Sequence, residues 1–343
     1  MMNKKDAPKK TTPKSDFIVN ESYDKLLEAL GWLYYARCDQ LTRLYYLPGS
    51  LTLIRERLRT LIEHKYVSYL SLISDGKNTR RIYALAGRGV SYLKDTGRIP
   101  EERYFRPSDV ERSPFFLPHT LDVGDLMIAF ALLAREDTRF QIVTRRHELD
   151  LKREKREEAH KVCILRTIGD KVVERYIYIY PDGFILLSLL GEDGKLRKFG
   201  VWLEIDRGTE MDNAKFKDRV RGIYEYYFTK SVDEDGKKSI KVSDAYIQKY
   251  GTSNLLVAYL VTQGGKQRMN HLCDLAQQEL ASTNEKAKIA RIFRFAVAPQ
   301  SWDFVEPETK TGKPIDVVRT LLFTPVWRVP FEGHELVPLL RVT

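Results

Sequence analysis

The stretch that most constrains the fold runs from Tyr180 to Glu210. It contains two apolar runs separated by Gly191-Glu192-Asp193-Gly194, and such a turn predicts a β-hairpin because glycine and aspartate favour tight turns. Three acids, Asp182, Glu204 and Asp206, stand where the apolar runs start or stop. A hairpin would bring these carboxylates to one sheet edge, and oxygen ligands of this kind suit Mg²⁺. Acids near turns are also common on solvated surfaces, so spacing alone leaves both interpretations open.

The basic residues are concentrated in the N-terminal part. The 343-residue chain has a net charge of +10, and residues 1–100 hold 18 Lys and Arg against 10 Asp and Glu. Such a local surplus favours a polyanionic partner, of which nucleic acid is the first candidate. Charge alone does not decide the matter, because many basic proteins bind no polyanion.

Length and composition favour a soluble protein of two or three domains. The hydrophobic fraction is 43% and the charged fraction 30%, which is typical of globular proteins. The uninterrupted apolar runs are too short to span a bilayer, and the N-terminus has no apolar signal core. The three cysteines are scattered without a CxxC pair, which argues against disulfides and thiolate zinc sites. We therefore expect a cytoplasmic protein without membrane contact.

The first hundred residues show an ordered series of elements. Residues 1–20 contain five Lys with little to bury and predict a disordered basic arm. Helical periodicity follows at 21–35 and at about 39–46. A third helix starts after Ser50, which is a good cap, and its apolar residues recur at steps of three and four. Strands are predicted at 66–73 and 80–85, with a helix at 88–95 behind them.

Three helices followed by a hairpin with a basic tip predict a winged helix-turn-helix over 21–98. In such a domain the third helix enters the major groove of double-stranded DNA and the hairpin contacts phosphates or the minor groove. The predicted DNA-binding residues are Thr52, Arg55 and Arg59 on the helix and Lys77, Arg80 and Arg81 on the hairpin. Two other interpretations are a solvated helix face and a domain that contacts protein.

The remainder of the chain predicts a linker at 99–117 and a second domain at 118–343. Thr120 is predicted to cap a helix at 121–135, and a strand follows at 140–144. The charge run at 150–160 is expected to be solvated. Beyond the hairpin we predict helices at 213–228 and 265–281, strands at 255–262 and 292–297, and a polar insertion at 231–243. Residues after 300 predict a polar turn at 306–314 and a final mixed strand region that has no assigned place in the fold.

This order of elements resembles the core of the PD-(D/E)XK nuclease superfamily. With an N-terminal winged helix and the strings LPHTLDVGDL, YPDGFILL and LEIDRGTE, the chain resembles the replication-relaxation family of bacterial plasmids and mobile elements. The implied fold is α+β: a winged helix-turn-helix followed by an α/β restriction-endonuclease-like domain with a central mixed sheet.

The superfamily implies metal-dependent phosphodiester hydrolysis. Asp182 matches its first acid and Glu204 its second, and in such enzymes the two carboxylates hold Mg²⁺. The motif's lysine should fall two residues after Glu204, where this chain has Asp206. Residues 204 and 206 lie on one face of a strand, so a negative charge replaces the expected cation.

Two interpretations of this departure remain open. In the first, Lys215 or Lys217 takes the role of the lysine, with Asp122 or Asp125 adding a carboxylate. In the second, the fold is a DNA-binding or structural scaffold that does not cleave. His119 is a weak candidate in both, since a lone histidine before a helix more often caps or packs.

Two further classes are disfavoured by missing motifs. The six histidines are isolated in sequence, so the His-x-His strand of metal-dependent relaxases is absent, and there is no GxxxxGK[ST] nucleotide loop. The first hypothesis is a sequence-specific double-stranded DNA-binding protein that serves replication or transcription control. The alternatives are an active Mg²⁺-dependent DNA endonuclease and a dimerisation or protein-interaction platform, with a homodimer as a further expectation.

Overall fold

The protein was analysed as a computed structural model. It describes residues 17–46, 49–74, 78–101, 116–153, 161–208, 212–232, 238–283, 286, 292–333 and 335–341. The predictions for Lys77, for most of the basic arm and for most of the linker therefore lie outside the described residues.

The N-terminal part consists of four helices and a small antiparallel sheet. Its elements are α1 (Glu21–Leu33), β1 (Ala36–Arg37), α2 (Cys38–Tyr45), α3 (Leu51–Glu63), β2 (Val67–Ser74), β3 (Asn78–Leu85) and α4 (Gly87–Asp95). The strand order is β1-β3-β2. The side chain of Asn20 caps α1, since its Oδ1 accepts hydrogen bonds from the backbone N–H groups of Ser22 and Tyr23 at 3.0 and 3.2 Å. The helices and hairpin predicted for this part are present, with ends shifted by one or two residues.

The rest of the chain alternates helices and strands. Its elements are α5 (Leu117–Glu136), β4 (Phe140–His147), α6 (Glu148–Arg153), β5 (Lys161–Ile168), β6 (Lys171–Tyr178), β7 (Gly183–Leu190), β8 (Leu196–Asp206), α7 (Asn213–Tyr227), β9 (Phe228–Val232), β10 (Lys238–Val242), α8 (Asp244–Tyr250), β11 (Leu255–Val261), α9 (Gly265–Leu280), β12 (Phe293–Val297), α10 (Pro314–Phe323), β13 (Trp327–Arg328) and β14 (Leu336–Val337). The protein is thus mixed α+β, as predicted.

A seven-stranded mixed sheet forms the centre of this part, with the strand order β14-β13-β12-β11-β8-β7-β4. Strands β8, β11 and β12 are parallel, whereas β7 and β4 continue the sheet in antiparallel pairs on one side and β13 and β14 do so on the other. Parallel strands have to be joined by crossover connections, which usually contain a helix. Helix α7 lies in the connection from β8 to β11, and α9 lies in the connection from β11 to β12.

The β7–β8 hairpin is confirmed and lies inside the sheet. Gly194 in its turn has a φ of 71°, which residues other than glycine rarely adopt, and the N–H of Gly191 donates to the carbonyl of Lys195 at 2.9 Å. Seven of the eight residues of β7 are buried. Strand β7 has no polar face because helices cover both sides of the sheet.

The two faces of the sheet pack against different helices. Val201 and Leu203 of β8 share a core with α5 and the N-terminal helices, whereas Trp202 between them packs with α7 and α9. Successive side chains of a strand point to opposite faces. One continuous core therefore joins the N-terminal helices to the sheet.

Two hairpins at the periphery of the protein were not predicted. Strands β5 and β6 form a separate two-stranded sheet over 161–178, where the sequence analysis assigned no strand. The polar insertion predicted at 231–243 overlaps a hairpin in which β9 pairs with β10. The charge run at 150–160 begins in α6 and then leaves the described residues.

Helix α5 starts earlier than predicted. It begins at Leu117, with Pro118 in its first turn, a position that suits proline because the N–H there has no helical partner. Thr120 is therefore not the cap. Its Oγ1 donates to the carbonyl of Phe116 at 3.2 Å, and His119 lies inside the helix.

By length and composition alone, α5 is apolar enough to cross a membrane. Of its apolar window, 72% is buried inside the protein, and it is the one such helix within the described residues. Burial of this kind is what the core helix of a globular domain shows.

The C-terminal residues complete the core. Helix α10 packs against α5, and Trp327 in β13 is fully buried with its Nε1 donating to the carbonyl of Leu321 at 2.6 Å. The sequence predicted a polar turn and strands in this part but not α10, and the strands could not be placed because they have only two residues each.

A buried ionic cluster ties the N-terminal part to α5. The carboxylate of Asp125 accepts hydrogen bonds from Arg37 (2.9 Å), Gln40 (2.9 Å) and Arg43 (2.8 Å), and Arg43 also contacts Asp303 at 3.1 Å. Burial alone would raise the pKa of Asp125, but Arg43 and Arg37 outweigh burial and hold that pKa below its ordinary value.

Replacing Asp125 with Ala is expected to destabilise the fold by about 3–5 kcal/mol, because it leaves the buried guanidinium of Arg43 without its main partner. The side chains of Asp125 and Arg43 are 4% and 2% exposed. Urea unfolding followed by circular dichroism measures the change.

The matched control is Asp39→Ala, which removes an acid that contacts the same two arginines but is 43% exposed. This variant should lose less than about 1 kcal/mol, as exposed ion pairs do. Equal unfolding midpoints for the two variants would contradict the conclusion that the Asp125 cluster stabilises the contact between the N-terminal part and α5.

Candidate functional site

A cleft of about 1000 Å³ opens at the end of the sheet where β7 begins and β8 stops. The residues that line it are Phe116, His119, Glu148, Arg175, Ile177, Tyr178, Ile179, Asp182, Glu204, Ile205, Asp206, Arg207, Lys215, Phe216, Asp218, Arg219 and Tyr259. The cleft therefore brings together residues from α5, the β5–β6 hairpin, the central sheet and α7.

The residues predicted to be catalytic meet in this cleft, with one exception. Asp182, Glu204, Asp206 and Lys215 all line it. Lys217 does not, and its Nζ lies 3.4 Å from the side-chain oxygen of Gln278. Residues 215 and 217 are only two apart on a helix and face different directions.

Asp182 pairs with His119. Its Oδ2 lies 3.1 Å from His119 Nε2 and accepts a hydrogen bond from the backbone N–H of Ile205 at 2.9 Å. Burial disfavours the imidazolium, but Asp182 outweighs burial and raises the pKa of His119 to about 9. Burial likewise disfavours the carboxylate, but His119 and Arg219 lower the pKa of Asp182 to about 2. The pair is therefore charged at neutral pH.

Glu204 is held by a bidentate arginine. Arg219 of α7 donates through Nε and Nη2 to the two carboxylate oxygens at 2.7 and 2.8 Å, and Nη2 also donates to the carbonyl of Tyr180 at 2.6 Å. Glu204 is only 3% exposed. Burial raises the pKa of Glu204 to about 7 against the opposing effect of Arg219. This carboxyl group consequently titrates near neutrality.

Asp206 stands where the resemblance expects a lysine, and it has a cation of its own. Arg268 of α9 donates through Nε and Nη2 to both of its oxygens at 3.0 and 2.9 Å, and the N–H of Gly208 donates to Oδ2 at 3.1 Å. The negative charge at this position is therefore balanced by α9.

The two additional acids of α5 lie in different places. The carboxylate of Asp122 is 3.1 Å from Arg207, which lines the cleft. Asp125 belongs to the buried cluster with Arg37 and Arg43. Only Asp122 is thus placed near the cleft acids.

This arrangement does not fit a shared Mg²⁺ ion. Both oxygens of Glu204 and both oxygens of Asp206 accept hydrogen bonds from arginines, and a divalent ion needs such oxygens as ligands. Within the described residues, no group of three His, Cys, Asp or Glu is placed to hold a metal. Mg²⁺ remains a prediction that comes from the resemblance.

The β5–β6 hairpin forms one wall of the cleft through ion pairs with helices. Asp218 of α7 accepts from Arg166 at 2.5 Å and also binds Arg175, and Arg166 reaches Glu279 of α9 at 2.7 Å. Helix and hairpin are in close contact, because a Cβ at Gly222 would lie 2.6 Å from the Cδ1 of Ile177. The inner face of the hairpin is therefore fixed to α7.

A second set of predicted residues forms a surface on the N-terminal part. Thr52, Arg55 and Arg59 are exposed on one face of α3. On β3, Arg80 and Arg81 are exposed, and the guanidinium of Arg81 lies 4.7 Å from the ring centre of Tyr69.

The two parts of this surface approach each other at Tyr83. Burial raises the pKa of the Tyr83 phenol, while Arg81 and Arg55 both act to lower it. The charges of Arg55 on α3 and Arg81 on β3 thus both act on the Tyr83 phenol.

The sequence analysis missed the arginines that hold the acids. Arg219 and Arg268 are 15 and 62 residues from Glu204 and Asp206, so no local pattern links them. One signal was available for Arg219, because it follows Lys215 by four residues and shares its helix face.

We expect the pKa of His119 to be about 9 and to fall in Asp182→Asn, where only the weaker effects of Glu148 and Glu204 still oppose burial. Because folding raises this pKa from 6.5, the pair stabilises the fold fully below pH 6.5, and this contribution is lost as the pH rises through 9. Proton NMR titration measures both values, with His119→Gln to assign the resonance. Titration near 6.5 in the unaltered protein would contradict the pairing.

Comparison with known proteins gives one match. The sequence pattern of the replication-relaxation family matches residues 30–242. No curated protein and no solved structure matches the chain significantly. The matched region includes the N-terminal surface, the β7–β8 hairpin and α7. Because it covers more than half of the 343 residues, the chain belongs to the replication-relaxation family.

Proposed function

We propose that the protein binds double-stranded DNA in a sequence-specific manner and serves replication or transcription control in a mobile element of a bacterial cytoplasm. Family membership indicates a role in replication or mobile-element processes. The single observation that carries the more specific proposal is the basic surface formed by α3 and β3.

Helix α3 has the properties of a helix that reads the major groove. Its apolar residues Ile54, Leu58 and Leu61 are fully buried, while Arg55 and Arg59 on the other side are exposed. The two arginines are four residues apart, so both can reach base edges from one helix face. Arginine pairs with guanine through two hydrogen bonds.

The adjacent hairpin supports the same proposal. Strands β2 and β3 pair in antiparallel register directly after α3, which is the arrangement of a wing in a winged helix-turn-helix. Arg80 and Arg81 are exposed on β3. In the proposed complex they contact phosphates, which position the protein without reading sequence.

In this proposal the second part of the chain is a nuclease-like scaffold that does not cleave. Support comes from Asp182, Glu204 and Asp206, each of which is bonded to a protein cation. Winged-helix proteins often bind two half-sites as dimers, so a homodimer is part of the proposal.

The Arg55→Ala, Arg59→Ala double variant should weaken binding to the target duplex at least about 30-fold, because each bidentate base contact contributes about 1–3 kcal/mol. The target duplex is first selected from a random library by the unaltered protein. Fluorescence anisotropy at fixed salt concentration measures the affinities.

The matched control is Arg139→Ala with Arg197→Ala, which removes the same charge at the other end of the sheet. Both of these arginines are about half exposed and pair with neighbouring aspartates. The control should bind within about threefold of the unaltered protein, since charges beyond the Debye length are screened. Unchanged affinity of the Arg55, Arg59 variant would overturn the proposal.

An active endonuclease is the second candidate, because Asp182, Glu204 and Lys215 line one cleft. It requires that the protein cleaves plasmid DNA in Mg²⁺ or Mn²⁺ and that Asp182→Asn abolishes cleavage. Asp193→Asn is the control, since Asp193 is an exposed acid in the β7–β8 turn. Lack of cleavage of supercoiled, linear and single-stranded DNA would leave the scaffold as the function of this domain.

A further inference from the structure

The outer face of the β5–β6 hairpin is an exposed surface next to the cleft. Opposed residues of an antiparallel pair lie on one face, and Lys161, Cys163 and Leu165 of β5 oppose Tyr178, Tyr176 and Glu174 of β6. Tyr176 is 58% exposed and Tyr178 47%. Val162 and Ile164, on the other face, are buried. The outer face thus presents two tyrosines together with the exposed side chains of Leu165 and Val172.

The tyrosines form a short row that leads into the cleft. Tyr178 stacks on Tyr180, with ring centres 6.4 Å apart and an angle of 7° between the planes, and Tyr178 itself lines the cleft. Tyr176 stands two residues before Tyr178, which corresponds to a separation of about 6.6 Å along a strand. Aromatic rings at this spacing can each stack on one base of a strand whose bases are separated from one another.

Cations accompany the row. The Nζ of Lys161 lies 5.0 Å from the ring centre of Tyr176. At the cleft mouth, the side chains of Arg175 and Lys215 are 56% and 66% exposed. On the outer face itself, the charged residues of the two strands are Lys161 and Glu174, whereas Arg166 and Arg175 alternate onto the inner face. The row of rings therefore has Lys161 beside it at one end and the exposed side chains of Arg175 and Lys215 in the cleft at the other.

From these features we infer that the outer face of the β5–β6 hairpin binds unpaired bases of single-stranded DNA, with the backbone passing from Lys161 towards Arg175 and Lys215. Aromatic stacking and nearby cations are the two elements of sequence-tolerant single-strand binding. A duplex cannot use this face, because its bases expose only their edges. The inference is thus independent of the proposal that the basic surface of α3 binds double-stranded DNA.

The outer face also carries one acid, which gives a test of its own. Glu174 lies on the same face, and its Oε2 is 3.4 Å from the hydroxyl of Tyr176. A carboxylate there repels phosphate. Glu174→Gln should therefore tighten binding of single strands about two- to threefold at low salt.

The main experiment measures the affinity of the full chain for a labelled oligothymidylate of about 15 nucleotides by fluorescence anisotropy. Tyr176→Ala with Tyr178→Ala should weaken binding about tenfold or more, because each stacked base contributes to affinity. Tyr176→Phe with Tyr178→Phe is the matched control and should bind within about twofold, since phenylalanine keeps the ring. Melting temperatures of both variants verify folding.

Several outcomes would overturn the inference. These are unchanged affinity in the Ala variant, an equal loss in the Phe variant, and no binding of the oligothymidylate by the unaltered protein. Loss of a dimer in the Ala variant on gel filtration, with single-strand affinity unchanged, would assign the face to a second copy of the chain instead. Binding of the selected duplex is measured on the same samples, so failure of the duplex proposal is recognised separately.

Discussion

The buried carboxylate of Asp125 is the interaction on which the arrangement of the molecule depends. Donors from β1 and α2 converge on this single side chain of α5, and Arg43 extends the cluster to Asp303 near the C-terminus. A buried charge that loses its partner is strongly destabilising, so the N-terminal helices have one favourable position on α5. The basic surface of α3 is consequently held in a fixed relation to the sheet and to the cleft at its end.

In the cleft, ion pairs likewise join the ends of the strands to neighbouring helices. Glu204 and Asp206 project from one face of β8. Arg219 of α7 binds Glu204, and Arg268 of α9 binds Asp206. Glu204, which matches the second acid of the nuclease motif, and Asp206, which stands where that motif has lysine, here join the sheet to α7 and α9. The Asp182 and His119 pair adds a third ionic contact between β7 and α5. Acids at a strand end can therefore serve the architecture, and their spacing alone does not reveal which role they have.

Local patterns predicted the elements that are long and periodic. The β7–β8 hairpin and α3 were found because a Gly-Asp turn, a serine before a helix and regular apolar spacing are all encoded within a few residues. The first turn of α5 was missed because Thr120 looked like a cap, although Pro118 was the better signal. The β5–β6 hairpin was overlooked despite the Gly169-Asp170 turn between its β-branched runs. Ion pairs across many residues, such as Asp206 with Arg268, leave no local pattern.

The family match ends at residue 242, whereas the sheet does not. Strand β11 begins at Leu255 and pairs along the whole buried part of β8, with Tyr259 beside Glu204 and Val261 beside Asp206. A fragment cut at the family boundary would expose β8 as an open edge rich in Val, Leu and Ile and would lose Arg268. Unpaired apolar edges associate with other chains. The matched region is therefore smaller than the sheet that has to fold around it.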